Sequence, residues 1–359
     1  MPKAVILALL KRVASIDLPE ILVEVEKGIF KSDLSKLQTE IQETRYSSGQ
    51  YKCPFCHDDH IVKNGKAKGN QRYLCRNCGK SFSQQTQTPT AYSKKETKVW
   101  IDYIECMIKG YSLRRCAWEC NINLATAFFW RHKILDALSS FMGTGEVDGL
   151  VEADECYLRY SYKGNHSKSK RFTMPRPARK RGGESVGKRG LSSEQVCVGT
   201  ALDRTGNILI GMIGTGRAKY HNLKRFFEGH IAPHSILCTD SAHGYGKLAK
   251  QLELEHKAIP SGKHMKGIYH IQHINAFHSN FKTFLQKFRG VSTKHLNSYL
   301  KWFKWIELFK DEKELLKIQK AYIQSQATYA GTLIEEILSR KPMFVYLNEL
   351  PIACVEFLW

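Results

Sequence analysis

Residues 150–158 read LVEADECYL, an apolar stretch that carries three carboxylates. Its β-branched, aromatic and other apolar residues predict a strand. Because side chains alternate between the two faces of a strand, Glu152, Asp154 and Cys156 share one face. Glu155 lies on the opposite face. A carboxylate inside an apolar strand is costly unless it is paired or bound to a metal ion. Asp154 is therefore a candidate functional residue, with an ordinary surface carboxylate as the alternative.

The sequence beyond this strand supplies the other elements of an α/β fold. Strands that first pair as a hairpin and then alternate with helices predict a mixed sheet flanked by helices. The predicted strands cover 196–202, 208–213 and 235–240, with a hairpin turn at 203–207, and the predicted helices cover 222–230, 271–288, 293–309 and 311–323.

Asp240 ends the predicted strand 235–240 and is followed by the loop sequence SAHGYG. Strand ends that face a loop are where open sheets build their sites. Asp240 is thus a second candidate functional residue. The alternative is that its carboxylate only caps the helix that follows.

Four of the eleven cysteines form two CxxC pairs separated by 18 residues. This spacing is typical of tetrahedral zinc, because two short turns each present two thiolates and close the coordination shell. Cys53, Cys56, Cys75 and Cys78 therefore predict one structural zinc ion in a zinc ribbon. The remaining cysteines are scattered singly, which favours a reducing compartment.

Helical periodicity follows the ribbon over residues 93–140, with Gly110 and the sequence NIN at 121–123 as breaks. Two short helices around a tight polar turn predict a helix-turn-helix. In a DNA-reading unit of this kind the second helix enters the major groove and the first crosses the backbone. The candidate DNA contacts here are Arg114, Arg115, Arg131 and Lys133.

The chain of 359 residues contains 55 Lys+Arg against 34 Asp+Glu, a formal net charge of +21. An excess of this size indicates a polyanionic partner such as DNA. No apolar run reaches the ~20 residues that a membrane-crossing helix needs, and no signal-peptide cleavage site is evident, so we expect a cytoplasmic, nucleoid-associated protein.

Basic residues are concentrated at three places in the sequence. Residues 163–190 contain ten Lys/Arg and one acid, which predicts a basic loop that builds no core. Within the ribbon the candidate phosphate contacts are Lys63, Lys66, Lys68, Arg72 and Arg76, and toward the C-terminus they are Lys287, Arg289 and Lys294, with Lys301 and Lys304 beside them.

The order of these features is informative together with two further motifs, HINAFHSNFK at 273–282 and FRGVSTKHL at 288–296. The set resembles bacterial insertion-sequence transposases that have an N-terminal zinc ribbon and an ISXO-like catalytic domain of the DDE/N type. The resemblance covers about residues 50–310. It implies an RNase H-like fold for the catalytic domain.

Carried over by position, the resemblance implies that Asp154, Asp240, Asn275 and Lys282 are the catalytic residues. Asn275 stands at the family's third metal-ligand position, with 34 residues between it and Asp240. Asp154, Asp240 and Asn275 would hold two Mg²⁺ ions, with Mn²⁺ as a possible substitute. On a helix, His278 shares the face of Asn275 and Lys282; its role stays open.

Two alternatives concern neighbouring residues. Glu152 and Glu155 are rivals of Asp154 for the first ligand position. His270 and His273 suggest a second metal site, but neither has an adjacent cysteine or carboxylate in the sequence. We therefore expect both histidines to be solvated.

The expected function is that of a DNA transposase that binds terminal inverted repeats, cleaves DNA and transfers a strand to target DNA. Such a reaction implies double-stranded DNA as partner and a homodimer or larger assembly. The alternatives are a non-catalytic zinc-ribbon regulator and an RNase H-like nuclease without strand transfer. The expected domains are a helical arm (1–48), a zinc ribbon (49–90), a helix-turn-helix region (91–145), the catalytic domain (146–310) and a helical C-terminal segment (311–359).

Overall fold

The computed structural model describes residues 35–46, 51–67, 70–164, 194–260, 262–263 and 265–341. The expected helical arm lies outside these residues up to residue 34, and so do Lys68 and residues 165–190 of the basic loop. The chain divides into two compact units. The first comprises residues up to 109 with 113–130 and 311–332, and the second comprises 110–112, 131–310 and the residues from 333 onward.

The first unit contains the ribbon and a set of helices. Its elements are α1 (Ser35–Arg45), β1 (Ile61–Ala67), β2 (Asn70–Cys75), β3 (Ser81–Ser83), α2 (Thr97–Ile108), α3 (Leu113–Glu119), the first part of α4 (Leu124–Met142) and α9 (Glu314–Ala327). The three strands form one antiparallel sheet in the order β1-β2-β3.

Helices α2, α3 and α4 lie where the sequence periodicity predicted them. Gly110 adopts a φ of +72°, a left-handed conformation that glycine accepts readily, and this conformation terminates α2. Asn121 adopts a φ of +47° in the turn between α3 and α4. The buried stripe of α2 meets α4 through Trp100 and Trp130, whose rings stack with centroids 3.7 Å apart. Burial of such aromatic pairs stabilises the helical set.

Residues 311–332 are part of this first unit. Helix α9 packs against α1 and α2, and the Thr90 hydroxyl donates to Gln326 Oε1 at 2.7 Å in a buried position. The guanidinium of Arg45 lies over the Tyr329 ring, 4.5 Å from its centroid. Of the expected helical C-terminal segment, residues 311–332 thus belong to the first unit and the described residues from 333 onward belong to the second.

The second unit is built on a five-stranded mixed sheet in the order β6-β5-β4-β7-β8. Strands β4, β5 and β6 are antiparallel neighbours, while β4, β7 and β8 run parallel. The elements are β4 (Leu150–Arg159), β5 (Gln195–Asp203), β6 (Ile208–Thr215), α5 (Tyr220–Phe227), β7 (Ile236–Asp240), α6 (His243–Gln251), β8 (Glu255–Ile259), β9 (Met265–Lys266), β10 (Tyr269–His270), α7 (Gln272–Gln286), α8 (Leu296–Leu308) and α10 (Ile334–Ser339).

Helices cover both faces of this sheet. Helices α5 and α6 bury Phe226, Phe227 and Tyr245 on one face, and α7 and α8 pack against strands β4 to β6 on the other. This is the RNase H-like arrangement that the resemblance implied, so the predicted fold class is confirmed. In the described part of the chain, no helix is both long and apolar enough for a bilayer span.

Close approach of α5 to the sheet depends on two glycines. A Cβ atom at Gly199 or at Gly211 would lie 3.0 Å from carbon atoms of the Phe226 ring. The missing side chains on neighbouring strands β5 and β6 thus form the surface that receives this ring. Phe226 is 1% exposed, so the contact is part of the core.

We expect Phe226→Ala to lower the free energy of unfolding by about 3–5 kcal/mol, because it leaves a cavity over the two glycines. Phe226→Leu fills part of that space and should cost less. Urea unfolding of the full chain measures both. Ile268→Ala, at a side chain that is 75% exposed, is the control and should change the value by less than about 0.5 kcal/mol. A loss at Phe226→Ala no larger than at Ile268→Ala would contradict the packing described.

Candidate functional site

Asp154 and Asp240 lie on adjacent parallel strands. In the register of β4 and β7, Glu152 is opposite Cys238, so two residues further along both strands Asp154 comes level with Asp240. Asp240 Oδ1 accepts a hydrogen bond from the Ala242 backbone N–H at 3.0 Å. The alternative that Asp240 only caps the following helix is wrong, because the N-cap residue of α6 is Ala242 and no side-chain cap is formed there. The sheet thus brings the two predicted aspartates together.

The electrostatics of Asp154 reflect this placement. Burial, reinforced by the like charge of Asp240, raises the pKa of Asp154 from 3.8 to about 6, against the opposing effects of the Glu155 backbone N–H and the positive charge of Lys282. When the buried carboxyl of Asp154 ionises, its negative charge and that of Asp240 repel each other. The pair is consequently a place where positive charge is favoured.

Helix α7 brings two further side chains to Asp154. His278 Nδ1 lies 3.6 Å from Asp154 Oδ2, and burial lowers the pKa of His278 to about 4, so its imidazole is neutral at neutral pH. Lys282 is exposed one turn further along and acts electrostatically on both residues. Asn275 is exposed one turn before His278. The one-face prediction for these three residues agrees with the helix as observed.

Glu155 points away from this group. It lies on the opposite face of β4, near the buried Tyr245 of α6, and burial raises the pKa of Glu155 to about 7. The alternation of β4 therefore separates Asp154 and Glu155 as predicted. Glu155 does not share a face with His278 and Lys282.

Glu152 shares the face of Asp154 but is engaged in other contacts. One of its oxygens, Oε1, lies 2.9 Å from His273 Nδ1, 3.4 Å from His270 Nδ1 and 3.0 Å from an Arg204 nitrogen. The expectation that both histidines are solvated holds for His273, which is exposed, but not for the half-buried His270. Strand β4 brings Glu152 to both of them from a distant part of the chain. No sequence signal other than the strand's alternation pointed to this group.

Glu152, His270 and His273 have donor atoms close enough to hold a metal ion, all within 4.8 Å of one another. The Arg204 guanidinium, however, contacts Glu152 and both histidines. A fixed positive charge among the donors opposes a cation there. The group is better described as an ion-pair cluster.

The four cysteines of the two CxxC pairs converge in the ribbon. Their Sγ atoms all lie within 4.8 Å of one another, and the pairs Cys53–Cys78 and Cys56–Cys75 are each 3.6 Å apart. Four sulfurs at about 2.3 Å from a zinc ion in a tetrahedron are about 3.8 Å apart. The cluster therefore has the dimensions of a zinc site and can hold this metal.

The two turns that carry these cysteines are alike. The His57 N–H donates to the Cys53 carbonyl at 2.8 Å, and the Gly79 N–H donates to the Cys75 carbonyl at 3.0 Å. His57 and Gly79 both adopt positive φ, +59° and +69°. Each turn thereby aims two thiols at the same point.

Most of the predicted DNA-contacting side chains are exposed. These are Lys63, Lys66, Arg72, Arg76, Arg114, Arg115, Lys287 and Arg289, while Lys133 and Lys294 are half-buried. Arg131 is 3% exposed and donates to the Tyr111 carbonyl at 2.7 Å. The prediction for Arg131 is corrected, because its guanidinium is used inside the fold.

Lys301 and Lys304 also differ from the expectation that they line a DNA path. Their ammonium groups donate to the carbonyls of Gly143 and Thr144, just beyond the end of α4. Burial lowers the pKa of Lys301 to about 7 and that of Lys304 to about 8. They donate hydrogen bonds to backbone carbonyls of the segment that follows α4, inside the fold.

Comparison with known proteins agrees with this geometry. Residues 146–307 match the family model of the ISXO2-like transposase domain. This segment, which is less than half of the chain, is similar to that transposase domain. The chain is also similar to an uncharacterized protein in transposable element ISH50 of Halobacterium salinarum, with 26% identity over 290 residues, which cover 77% of this chain and 92% of the relative. The resemblance predicted from the motifs is thereby confirmed.

The pKa of Asp154 has a consequence for the stability of the second unit. Because its folded-state value of about 6 is above the value of 3.8 for a free side chain, the contribution of this carboxyl is fully favourable below about pH 4 and is lost as pH rises through 6. Asp154→Asn cannot ionise. We measure the free energy of unfolding of Asp154→Asn minus that of wild type, without added divalent ions. We expect this difference to increase by about 1–3 kcal/mol when the pH is raised from 4.5 to 7.5.

Urea unfolding at the two pH values measures this difference. Asp311→Asn, which changes an exposed carboxyl, is the control and should show no such increase. A pH-independent difference between Asp154→Asn and wild type would show that Asp154 is not desolvated as described.

Proposed function

We propose that this chain is a DNA transposase that acts in the cytoplasm on an insertion sequence. It binds the terminal inverted repeats, cleaves the DNA at the element ends and transfers the freed strand into target DNA. The observation that carries the proposal is the position of Asp154 and Asp240 on the adjacent strands β4 and β7, within residues that match a transposase domain. Fold alone does not define chemistry, so these residues are the basis of the proposal.

The chemistry of the donor set fits hard divalent cations. Asp154 and Asp240 offer carboxylate oxygens and Asn275 offers an amide oxygen, the ligand types preferred by Mg²⁺ and tolerated by Mn²⁺. When bound, two such ions would activate the attacking oxygen and stabilise the leaving oxygen of an in-line phosphodiester displacement. Asp154, Asp240 and Asn275 would hold these ions, with Asn275 as a neutral and therefore weaker ligand.

The remaining side chains of the site have supporting roles. His278 Nδ1 lies 3.6 Å from Asp154 Oδ2, beyond hydrogen-bond distance, so the buried imidazole packs beside this carboxylate. Lys282 is exposed beside Asp154 and can bind a phosphate of the cut strand as a point charge. His278 acts without changing charge at neutral pH, because burial lowers its pKa to about 4 and keeps the imidazole neutral.

The first unit is proposed to bind DNA through a zinc-stabilised ribbon and a helix-turn-helix. One zinc ion held by the four cysteines would reinforce the small core that Tyr73 and Phe82 form in the ribbon. The ribbon then presents Lys63, Lys66, Arg72 and Arg76, with Arg114 and Arg115 on α3. Exposed cations of this kind bind phosphates and position a duplex.

Pairing of two element ends implies that two or more copies of the chain assemble on double-stranded DNA. Lys287 and Arg289, exposed at and just beyond the end of α7, are proposed to contact DNA, with Lys294 and Lys133 as half-buried neighbours of the surface. These contacts should be sensitive to salt, because phosphate binding releases counterions.

A strand-transfer assay tests the catalytic proposal. The substrate is a labelled duplex that ends in the inverted repeats flanking the gene, incubated with target DNA and Mg²⁺ or Mn²⁺. We expect Asp154→Ala and Asp240→Ala each to reduce joined product by more than about 100-fold, since even supporting partners of metal sites are worth about 10–100-fold. Asp311→Asn is the matched control at an exposed acid and should retain activity.

The products distinguish the alternative functions. Joined products that require both aspartates support a transposase. Cuts without joining would instead identify a nuclease. DNA retention that is unaffected by Asp154→Ala and Asp240→Ala, without any cut product, would identify a non-catalytic regulator.

Zinc content tests the ribbon. Purified wild type should contain one zinc ion per chain by atomic emission, and Cys75→Ser should lose it together with binding to the inverted repeats, because one thiolate of the closed tetrahedral shell is missing. Cys120→Ser alters a buried cysteine outside the two pairs and should keep the zinc. Full zinc content in Cys75→Ser would contradict the assignment.

A further inference from the structure

Helix α7 begins without a capping side chain of its own. Its N-cap residue is Ile271, which has no polar side-chain atom, and no side-chain cap is formed there. The first N–H groups of any helix lack partners within the helix. Here the N–H of Ile274 donates to Glu152 Oε2 at 3.1 Å. A carboxylate from strand β4 thus caps the helix that carries Asn275.

The same carboxylate is held from its other side. Glu152 Oε1 contacts His273 at 2.9 Å and the Arg204 guanidinium at 3.0 Å. Glu152 itself is 1% exposed. A buried carboxylate with this many donors, placed at a helix N-terminus, is fixed by ion pairing, hydrogen bonding and the helix dipole together.

Arg204 is in turn fixed by the hairpin between β5 and β6. Asp203 Oδ1 accepts hydrogen bonds from the N–H groups of Thr205 and Asn207, each at 2.9 Å, and Asp203 Oδ2 accepts the Asn207 side-chain amide at 2.8 Å. Although burial opposes it, these bonds lower the pKa of Asp203. These bonds fix the backbone of the turn from which the Arg204 side chain extends to Glu152.

We propose that Glu152 is a positioning residue that fixes the N-terminal turn of α7 to strand β4, and so sets the position of Asn275 relative to Asp154. The inference rests on the proposed function of these two residues. Glu152 is two residues before Asp154 on the same face of β4, and the helical residue that it caps immediately precedes Asn275. One side chain therefore links the strand of the first proposed ligand to the helix of the third.

The role of Glu152 is distinct from that of a metal ligand. Both of its oxygens already have donors, and one of these is the permanent positive charge of Arg204. A cation at this cluster would have to displace that guanidinium. Glu152 acts instead through the geometry of Asn275.

The experiment measures Mn²⁺ binding directly, by the electron paramagnetic resonance signal of free Mn²⁺ with zinc-loaded full-length protein. We expect Glu152→Gln to weaken Mn²⁺ binding about 10-fold, within the range for supporting partners of metal sites. The half-saturating Mn²⁺ concentration for cleavage should rise to the same extent, while the rate at saturating Mn²⁺ stays close to wild type.

A matched control separates positioning from general destabilisation. Asp136→Asn removes the carboxylate charge of another ion pair in the second unit, in which Arg340 lies 2.7 Å from Asp136. It should lower thermal stability without changing Mn²⁺ affinity. If Glu152→Gln folds poorly, the neutral pair Glu152→Gln with Arg204→Gln removes the charges together and is expected to show the same weakened Mn²⁺ binding.

The outcomes separate this inference from the proposed function. Mn²⁺ binding that persists in both Asp154→Asn and Asp240→Asn would overturn the proposed metal site itself. Loss of Mn²⁺ binding in those variants, with Glu152→Gln indistinguishable from Asp136→Asn, would overturn only the positioning role. The positioning role is supported if Glu152→Gln raises the half-saturating Mn²⁺ concentration and saturating Mn²⁺ restores the wild-type rate. It is contradicted if the rate of Glu152→Gln stays low at saturating Mn²⁺.

Discussion

The proposed active site depends on one constraint, the placement of two carboxylates level with each other on adjacent parallel strands. Asp154 and Asp240 come together because β4 and β7 pair in register, and backbone hydrogen bonding of the sheet keeps them there. Two ionised carboxylates that are partly removed from water repel each other. The sheet core, including the contact of Phe226 with the glycines of β5 and β6, provides the rigidity that resists this repulsion.

Helix α7 completes the site because it crosses the face of β4 on which Asp154 lies. Its apolar stripe, with Ile274, Phe277 and Phe281 buried, fixes the rotation of the helix about its own axis. That rotation places Asn275 and Lys282 at the edge of the buried stripe and His278 within it. Packing alone allows small shifts along the helix axis, and the hydrogen bond from Ile274 to Glu152 opposes such shifts. Core packing thus restricts rotation of α7 about its axis, and the hydrogen bond to Glu152 restricts its movement along that axis.

Local patterns in the sequence predicted much of this arrangement. The alternation in β4 separated Asp154 from Glu155, helical periodicity gave α2, α3 and α4, and the cysteine spacing gave the ribbon cluster. Long-range contacts could not be predicted in the same way. Nothing near His273 in the sequence indicates Glu152, and nothing near Arg131 indicates that its guanidinium is buried. A charged residue in a sequence is normally predicted to be exposed. A long cationic side chain can nevertheless be buried when its charged end donates to backbone carbonyls, as Lys304 does.

The distribution of charge within the second unit bears on how the proposed DNA substrate would reach the proposed site. The chain as a whole has a net charge of +21, but close to the paired aspartates Lys282 contributes one positive charge, and His278 contributes none at neutral pH because burial lowers its pKa to about 4. When both aspartates are ionised, these four side chains together carry a net negative charge. A phosphodiester therefore gains attraction from the basic surface at long range and meets repulsion at the site itself. Only added positive charge between the carboxylates and the phosphate removes that repulsion. For this reason a strongly basic protein with the proposed function would still need divalent cations to bring the scissile phosphate into contact with Asp154 and Asp240.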